Sequence, residues 1–211
     1  MAGATDIDLG ETATLSIDNL LYAIDGGAAS AILPAGFSLG IDGHTLTVDP
    51  TDPAFDYLAF NQQTVIEVSY DVMDAQGVTV PQTETITITG VNDLPVVAAP
   101  LTATADEGDA AFTADLLAGA TDPDQGETAT LSVADLLYSV DGGTASAILP
   151  AGFSLGIDGH TLTIDPTDPA FADLAEAEQT VIVVTYDIED AQGATIPQSQ
   201  TVTIHGHDLV I

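Results

Sequence analysis

The chain contains no lysine and no arginine among its 211 residues, while aspartate and glutamate together number 33, giving a formal net charge of −33 at pH 7. No carboxylate can therefore be paired within the chain by an ammonium or a guanidinium, and repulsion between like charges has to be met by water, salt or bound cations. The same absence argues against nucleic acid as a partner, because phosphate binding depends on Lys and Arg, and against attraction to anionic lipid. Cysteine is absent, which excludes a disulfide framework and a thiol nucleophile. Tryptophan is absent and aromatic residues make up only 5% of the chain, so it has few of the ring platforms that ligand-binding sandwiches expose. No unbroken apolar stretch is long enough to span a bilayer as a helix, and no signal peptide is visible; direct membrane insertion is not expected. Met1 followed by Ala2, Gly3 and Ala4 reads as a start placed on a fragment, so an export signal would lie outside it.

High charge alone would favour disorder, but 45% of the residues are hydrophobic and the mean hydropathy is +0.30, enough to build a core. The length suits one large or two ordinary domains, and an internal repeat decides for two. Residues 4–90 align without a gap on residues 120–206, with 24 differences over 87 positions and therefore 63 identities. Residues 31–47 recur unchanged as 147–163. A period of this size fits an array of whole domains better than a solenoid, whose units run roughly 20–50 residues. The expected domains are 1–93, a truncated repeat, and 94–211, a complete one. Residues 97–116 have no counterpart ahead of Ala4, so the first module is expected to lack its first strand. Either a repeat has been cut internally, or a neighbouring chain donates the strand to an open sheet edge.

Alternation with period two dominates both copies. Ile66, Val68, Tyr70 and Val72 fall on one face, as do Ile182, Val184, Tyr186 and Ile188. Ile86 with Ile88, Leu46 with Val48, and Leu15 with Ile17 repeat the habit, and β-branched residues are abundant, as half-buried strands prefer. Asp25-Gly26-Gly27, Asp42-Gly43 and their copies at Asp141 and Asp158 read as turns. Many short strands punctuated by turns predict an all-β fold of tandem antiparallel sandwiches. Asp52-Pro53-Ala54-Phe55 and the copy at Asp168 predict one helical turn each, with a capping carboxylate before a proline. Tyr22 and Tyr138 are assigned to the core or its rim.

Calcium takes about six to eight oxygen ligands from carboxylates, amides and backbone carbonyls. Three features fit that demand in a chain with no internal cation. Asp122-Pro-Asp124-Gln-Gly126, copied as Asp6-Ile-Asp8-Leu-Gly10, places alternate carboxylates before a glycine turn. Asn92-Asp93 lies where one copy gives way to the next. Asp190, copied as Asp74, ends a predicted strand.

These residues carry a resemblance. Asp-x-Asp-x-Gly, then Val-x-Tyr-x-x-x-Asp-x-x-Gly, then Gly90-Val-Asn-Asp-Leu-Pro95 resembles the cadherin-like and VCBS-type immunoglobulin-like repeats of large bacterial surface adhesins, RTX-type adhesins included. The stretch from Leu46 to Leu58 fits the VCBS-type pattern closely, and the resemblance covers nearly all of both modules. It implies an immunoglobulin-like sandwich, calcium between consecutive domains, neighbouring repeats of the same polypeptide as partners, and an extracellular, bacterial-surface location. In a calcium-stiffened extender module of this kind, Asn92 and Asp93 match the linker motif, Asp122 and Asp124 the paired aspartates of the following domain, and Asp190 its later strand-end aspartate. Asp49 and Asp52 sit where such domains place an acidic cluster near the base. Glu107 matches the base glutamate and would serve the joint after the second module, with Asp165 and Asp168. His205-Gly206-His207-Asp208-Leu209 departs from the pattern at the distal joint, being one residue shorter than its counterpart.

Other readings compete. Asp52 and Asp168 can be helix caps and nothing more, and Asp25 and Asp42 turn formers. His44 and His160 follow Asp-Gly turns, and His205 and His207 alternate along one face, too few nitrogen ligands for a zinc site. The chain offers no thiol nucleophile and no Lys for imine or proton chemistry, and no pair of acids stands out for glycoside cleavage, so an enzyme is not expected. A ligand-binding adhesin module, for carbohydrate or a surface receptor, is the alternative to a spacer. A salt-rich habitat is a further explanation of the acidity, and it predicts that sodium replaces calcium at equal ionic strength.

Overall fold

The computed structural model describes residues 3–207 other than Leu9; Asp208 and Leu209 of the divergent C-terminal stretch lie outside the described residues. The chain divides into two compact units, Met1–Asn92 and Asp93–Ile211. Both are all-β, with no helix beyond short 3-10 turns among the described residues.

The first unit contains β1 (Ser16–Ile24), β2 (Phe37–Leu39), β3 (Leu46–Val48), β4 (Gln63–Met73) and β5 (Thr79–Thr89). One sheet has the order β1-β4-β5, and β2 pairs with β3 in a second. The alternating runs are strands as expected, except that Leu15 lies one residue ahead of β1, where it closes a 3-10 turn. β1 carries a bulge between Asp18 and Leu21, where Asn19 takes a positive φ of 52°.

The second unit contains β6 (Leu101–Asp106), β7 (Phe112–Asp115), β8 (Ser132–Val140), β9 (Phe153–Leu155), β10 (Thr161–Ile164), β11 (Gln179–Glu189) and β12 (Thr195–His205). The orders are β6-β12-β11-β8 and β7-β10-β9. Residues of both sheets close on one core around Leu116, Leu162, Ile164, Val184, Val202 and Ile204, all with 0% exposure. Tyr138 and Tyr22 are both core residues, at 4% exposure.

Two expectations about the leading segment are corrected. It supplies two strands, since β6 joins one sheet and β7 the other, and neither has a counterpart among the described residues of the first unit. And the sandwich is not purely antiparallel: β6 pairs with β12 in parallel, Leu101 opposite Gln200 and Asp106 opposite His205. The physical reason is the crossover at 107–111, which carries the chain from one sheet to the other. It is pinned where the Glu107 amide donates to the His205 carbonyl at 2.7 Å and the Gly108 amide to the Pro166 carbonyl at 3.1 Å.

The turns carry more than chain reversal. Asp25 accepts from the Val65 amide at 2.8 Å and Asp141 from the Val181 amide at 2.8 Å, tying each turn to its central strand. Asp52 caps the 3-10 turn Pro53–Phe55 as expected. At Asp168 the chain makes successive hydrogen-bonded turns without a helix, Phe171 to Asp168 at 3.0 Å and Ala172 to Pro169 at 3.3 Å.

Candidate metal centre

The centre is built on a tight turn. In the second unit Gly126 adopts φ 90°, a left-handed conformation that a side chain would strain, and the 3-10 turn Glu127–Thr130 follows directly. Asp122 Oδ1 accepts from the Asp124 amide at 2.9 Å, folding the two aspartates over each other. The Asp122 amide donates to Thr128 Oγ1 at 2.8 Å, and the Glu127 amide donates to the Asp124 carbonyl at 3.1 Å. At the end of β11, Asp190 Oδ1 accepts from the amides of Gln192 at 2.9 Å and Ala194 at 2.8 Å. Gln192 Nε2 then donates to Glu127 Oε1 at 2.9 Å, joining the two loops.

The result is a buried acidic cluster. Asp122 is 9% exposed, Asp124 1%, Glu127 8% and Asp190 4%. One oxygen each from Asp122, Glu127 and Asp190 lies within 4.8 Å of the others. Asp122 Oδ2, Asp124 Oδ1 and Glu127 Oε2 are buried with no hydrogen-bond partner. Burial pushes the Asp122 carboxyl above its ordinary range; the Asp124 amide opposes this, and the charges of Asp124 and Asp190 add to it. Glu127 is raised too, first by desolvation and then, against the Gln192 hydrogen bond, by the charges of Asp124, Asp122 and Asp190. Buried carboxylates this close need protons or a cation, and the chain has no Lys or Arg to supply one.

The donors are all oxygens, which suits calcium, magnesium or manganese rather than zinc. Calcium–oxygen distances of about 2.3–2.6 Å allow two ligands of one ion to lie up to about 5 Å apart, so the separations in the cluster fit a single ion.

Glu127 was not singled out from the sequence, nor was its copy Glu11. The signal was its place directly after Asp-x-Asp-x-Gly in both repeats, hidden in a chain with 33 acids. In the first unit Asp6, Asp8 and Glu11 form the corresponding group, with Asp6 Oδ1 accepting from the Asp8 amide at 2.8 Å and Gln76 Nε2 donating to Glu11 Oε1 at 2.9 Å. Asp74 Oδ1 accepts from the amides of Gln76 at 2.9 Å and Val78 at 2.7 Å. Asp6 and Glu11 are half-buried and Asp8 is exposed. The difference has a local cause. In the second unit residues 93–96 run beside the aspartate pair: Val96 and Thr121 exchange backbone hydrogen bonds at 2.7 and 2.9 Å, and the Asp93 amide donates to Asp124 Oδ2 at 3.0 Å. No described residue plays that part in the first unit.

Asn92 ends the first unit and Asp93 opens the second. The remaining expected ligands lie elsewhere. Asp49 Oδ1 accepts from Thr51 Oγ1 at 2.7 Å and Asp165 Oδ1 from Thr167 Oγ1 at 2.6 Å, bonds that hold both carboxyls below their ordinary range. Asp52 and Asp168 accept from the amides of Ala54 and Ala170, each at 2.9 Å. The Glu107 turn reaches the 165–168 loop through Gly108, and Glu107 Oε2 is buried without a partner. These five acids do not enter either group of three that the described residues form. His160 Nδ1 lies 2.9 Å from Asp115 Oδ1, outside both groups.

No family model matches the sequence, and no curated protein matches it. Solved structures similar to the chain include cadherin extracellular repeats. Mouse cadherin-23 EC22-24 is 16% identical with a TM-score of 0.43, covering 90% of this chain and 53% of that one. Human CDH23 EC21-23 is 15% identical with a TM-score of 0.48, covering 92% of this chain and 62% of that one. Human mucin-like protocadherin EC1-2 is 12% identical with a TM-score of 0.47, covering 91% and 85%. The chain thus spans between half and two thirds of the first two structures. With TM-scores below 0.5, the likeness carries no functional information.

Proposed function

We propose that the chain is a calcium-binding spacer of an extracellular surface protein, a tandem repeat of the kind that bacterial adhesins of the VCBS and RTX types string into rods. One observation carries this reading: Asp122, Glu127 and Asp190 bring carboxylate oxygens within 4.8 Å of one another, and buried oxygens of Asp122, Asp124 and Glu127 lack a hydrogen-bond partner, in a chain without a single Lys or Arg. A divalent cation would neutralise them and satisfy their lone pairs together. Asp93, Asp122, Asp124, Glu127 and Asp190 would hold it, together with Asn92, the residue before Asp93, and Asp6, Asp8, Glu11 and Asp74 would form a more open copy. Glu107, Asp165 and Asp168, and Asp49 and Asp52 in the first repeat, are proposed for the following joints. Because the Asp93 amide bonds to Asp124, the ion would sit against the residue through which the chain enters the second unit, and its binding would stiffen that passage. The ion is structural, and no catalytic role is proposed.

Extracellular calcium modules bind with Kd on the order of 10⁻⁴–10⁻³ M, so such a site fills in millimolar calcium. At about 100 times Kd the ion adds roughly 2.7 kcal/mol of stability. Calorimetric titration of the chain with calcium tests this: saturable binding is expected, with the tightest site lost in Asp122→Ala and Glu127→Ala. Unchanged binding in both variants, or equal heats from sodium at matched ionic strength, contradicts it.

A further inference from the structure

The carboxylates of the acidic cluster are sorted oxygen by oxygen. Asp122 Oδ1 accepts from the Asp124 amide, Asp124 Oδ2 from the Asp93 amide, Asp190 Oδ1 from the amides of Gln192 and Ala194, and Glu127 Oε1 from Gln192 Nε2. The complementary oxygens Asp122 Oδ2, Asp124 Oδ1 and Glu127 Oε2 are buried with no hydrogen-bond partner. In these three acids one oxygen is thus occupied by an N–H donor and the other is left for an ion. The aspartates are held by backbone amides, which the turns fix. Glu127 is held by a side chain.

The turn after β11 places that side chain. β11 ends at Glu189 and β12 begins at Thr195. Between them the Asp190 amide donates to the Ala194 carbonyl at 3.0 Å and the Gly193 amide to the Asp190 carbonyl at 3.3 Å, with Gly193 at φ 86°. The Gln192 backbone amide stays on Asp190 Oδ1 at 2.9 Å while its side chain crosses to Glu127 Oε1, also at 2.9 Å. One residue therefore orients two acids that come from separate loops. Gln192 is itself exposed, so the core does not require a glutamine there. In the first unit Gln76 makes the same pair of bonds, its amide to Asp74 Oδ1 and its Nε2 to Glu11 Oε1, both at 2.9 Å, and Glu11 Oε2 is again buried without a partner.

We propose that Gln192 is a positioning residue that sets which ions the centre accepts, because by occupying Glu127 Oε1 it limits Glu127 to one ligand oxygen. The inference rests on the proposed binding of a divalent cation at the cluster. Calcium takes about six to eight oxygens in a flexible shell and tolerates a carboxylate that binds through both oxygens. Manganese and magnesium favour octahedral sites of about six oxygens, which the narrow bite of a two-oxygen carboxylate distorts. A glutamate held to one oxygen keeps the centre open to octahedral ions alongside calcium. Freed from Gln192, Glu127 can turn both oxygens to the ion, and the balance moves toward calcium.

The test uses the full chain carrying Asp6→Ala, which silences the copy in the first unit, and titrates it with manganese and with calcium, separately and in competition. Gln192→Met keeps the side-chain length and the backbone amide on Asp190 but removes the donor to Glu127. Both ions are expected to bind the chain with Gln192 in place. In Gln192→Met manganese affinity is expected to fall at least about tenfold, the usual scale for losing a group that orients a ligand, while calcium affinity changes by less than about threefold because calcium accepts the second oxygen. A tie that merely braces two loops would weaken both ions by the same factor, and that result overturns the proposal. So does a chain that takes calcium but no manganese. Calcium that fails to bind, or binds equally well after Asp122→Ala, overturns the proposed function and this inference together. A calcium site lost in Asp122→Ala but with an unchanged manganese-to-calcium ratio in Gln192→Met overturns this inference alone.

Discussion

The backbone amide of Asp93 donates to the Asp124 carboxylate at 3.0 Å. The first residue of the second unit is thereby fastened to the most deeply buried acid of the cluster, 1% exposed.

The contribution of the acidic cluster to the pH dependence of stability should reverse with calcium. Asp122 and Glu127 have raised folded-state values, so without metal the folded state holds protons that the unfolded state has released. The contribution of these two groups to stability is then greatest below the ordinary carboxylate range and falls as pH rises through it, whereas Asp49 and Asp165, held low, contribute with the opposite sign under both conditions. With calcium saturating, the ion competes for the charged form, and stability should rise over the same interval. Thermal melting between about pH 4 and pH 7, in chelator and in calcium, measures both slopes. Parallel slopes contradict the assignment.

Neutral replacement should change sign with the ion. Asp122→Asn and Glu127→Gln remove buried repulsion, so each is expected to raise the melting temperature of the second unit in chelator. In calcium each removes a ligand and should lower it. An effect of about 1 kcal/mol corresponds to roughly 4–8 °C for a domain of this size. Variants that act in one direction under both conditions would mark the cluster as purely structural.

The two units should not melt together. Thirteen core residues are buried in the second unit and six in the first, so the first has much less apolar burial to hold it. Since buried aliphatic side chains contribute about 1.5–3 kcal/mol each, calorimetry should resolve two transitions, the lower from the first unit. Exchange at Ile66 should be lost before exchange at Ile182. A single cooperative transition contradicts this.

Ala177 holds a positive φ of 74° where its counterpart Asn61 has 63°. Asparagine tolerates this conformation, whereas alanine is strained by roughly 1–2 kcal/mol. Ala177→Asn is therefore expected to raise the second transition by several degrees and to leave calcium affinity unchanged. A lower melting temperature would show that the side chain, rather than the backbone, limits that loop.

Much of the fold was legible because it is local. The alternation of Ile182, Val184, Tyr186 and Ile188 marks β11, and Asp52 before Pro53 marks a capped turn. What escaped the sequence depends on distant partners. Residues 97–116 read as one strand, but the crossover after Asp106 divides them between two sheets, and their parallel pairing with β12 has no periodic signature. Glu127 escaped for a different reason. Its place in the cluster comes from its burial and from Gln192 reaching across from the loop after β11, and neither is visible in a chain crowded with acids. The clustering of Asp122, Asp124 and Asp190, though not what the cluster binds, was legible because glycine turns and a strand end fix their positions locally.

The most direct measurement is an anomalous-difference map from crystals grown in calcium. The expected result is a peak about 2.3–2.6 Å from carboxylate oxygens of Asp122, Glu127 and Asp190, lost in crystals soaked in chelator. A map without that peak, with the three carboxylates turned apart into solvent, contradicts the claim that a cation replaces the missing basic residues.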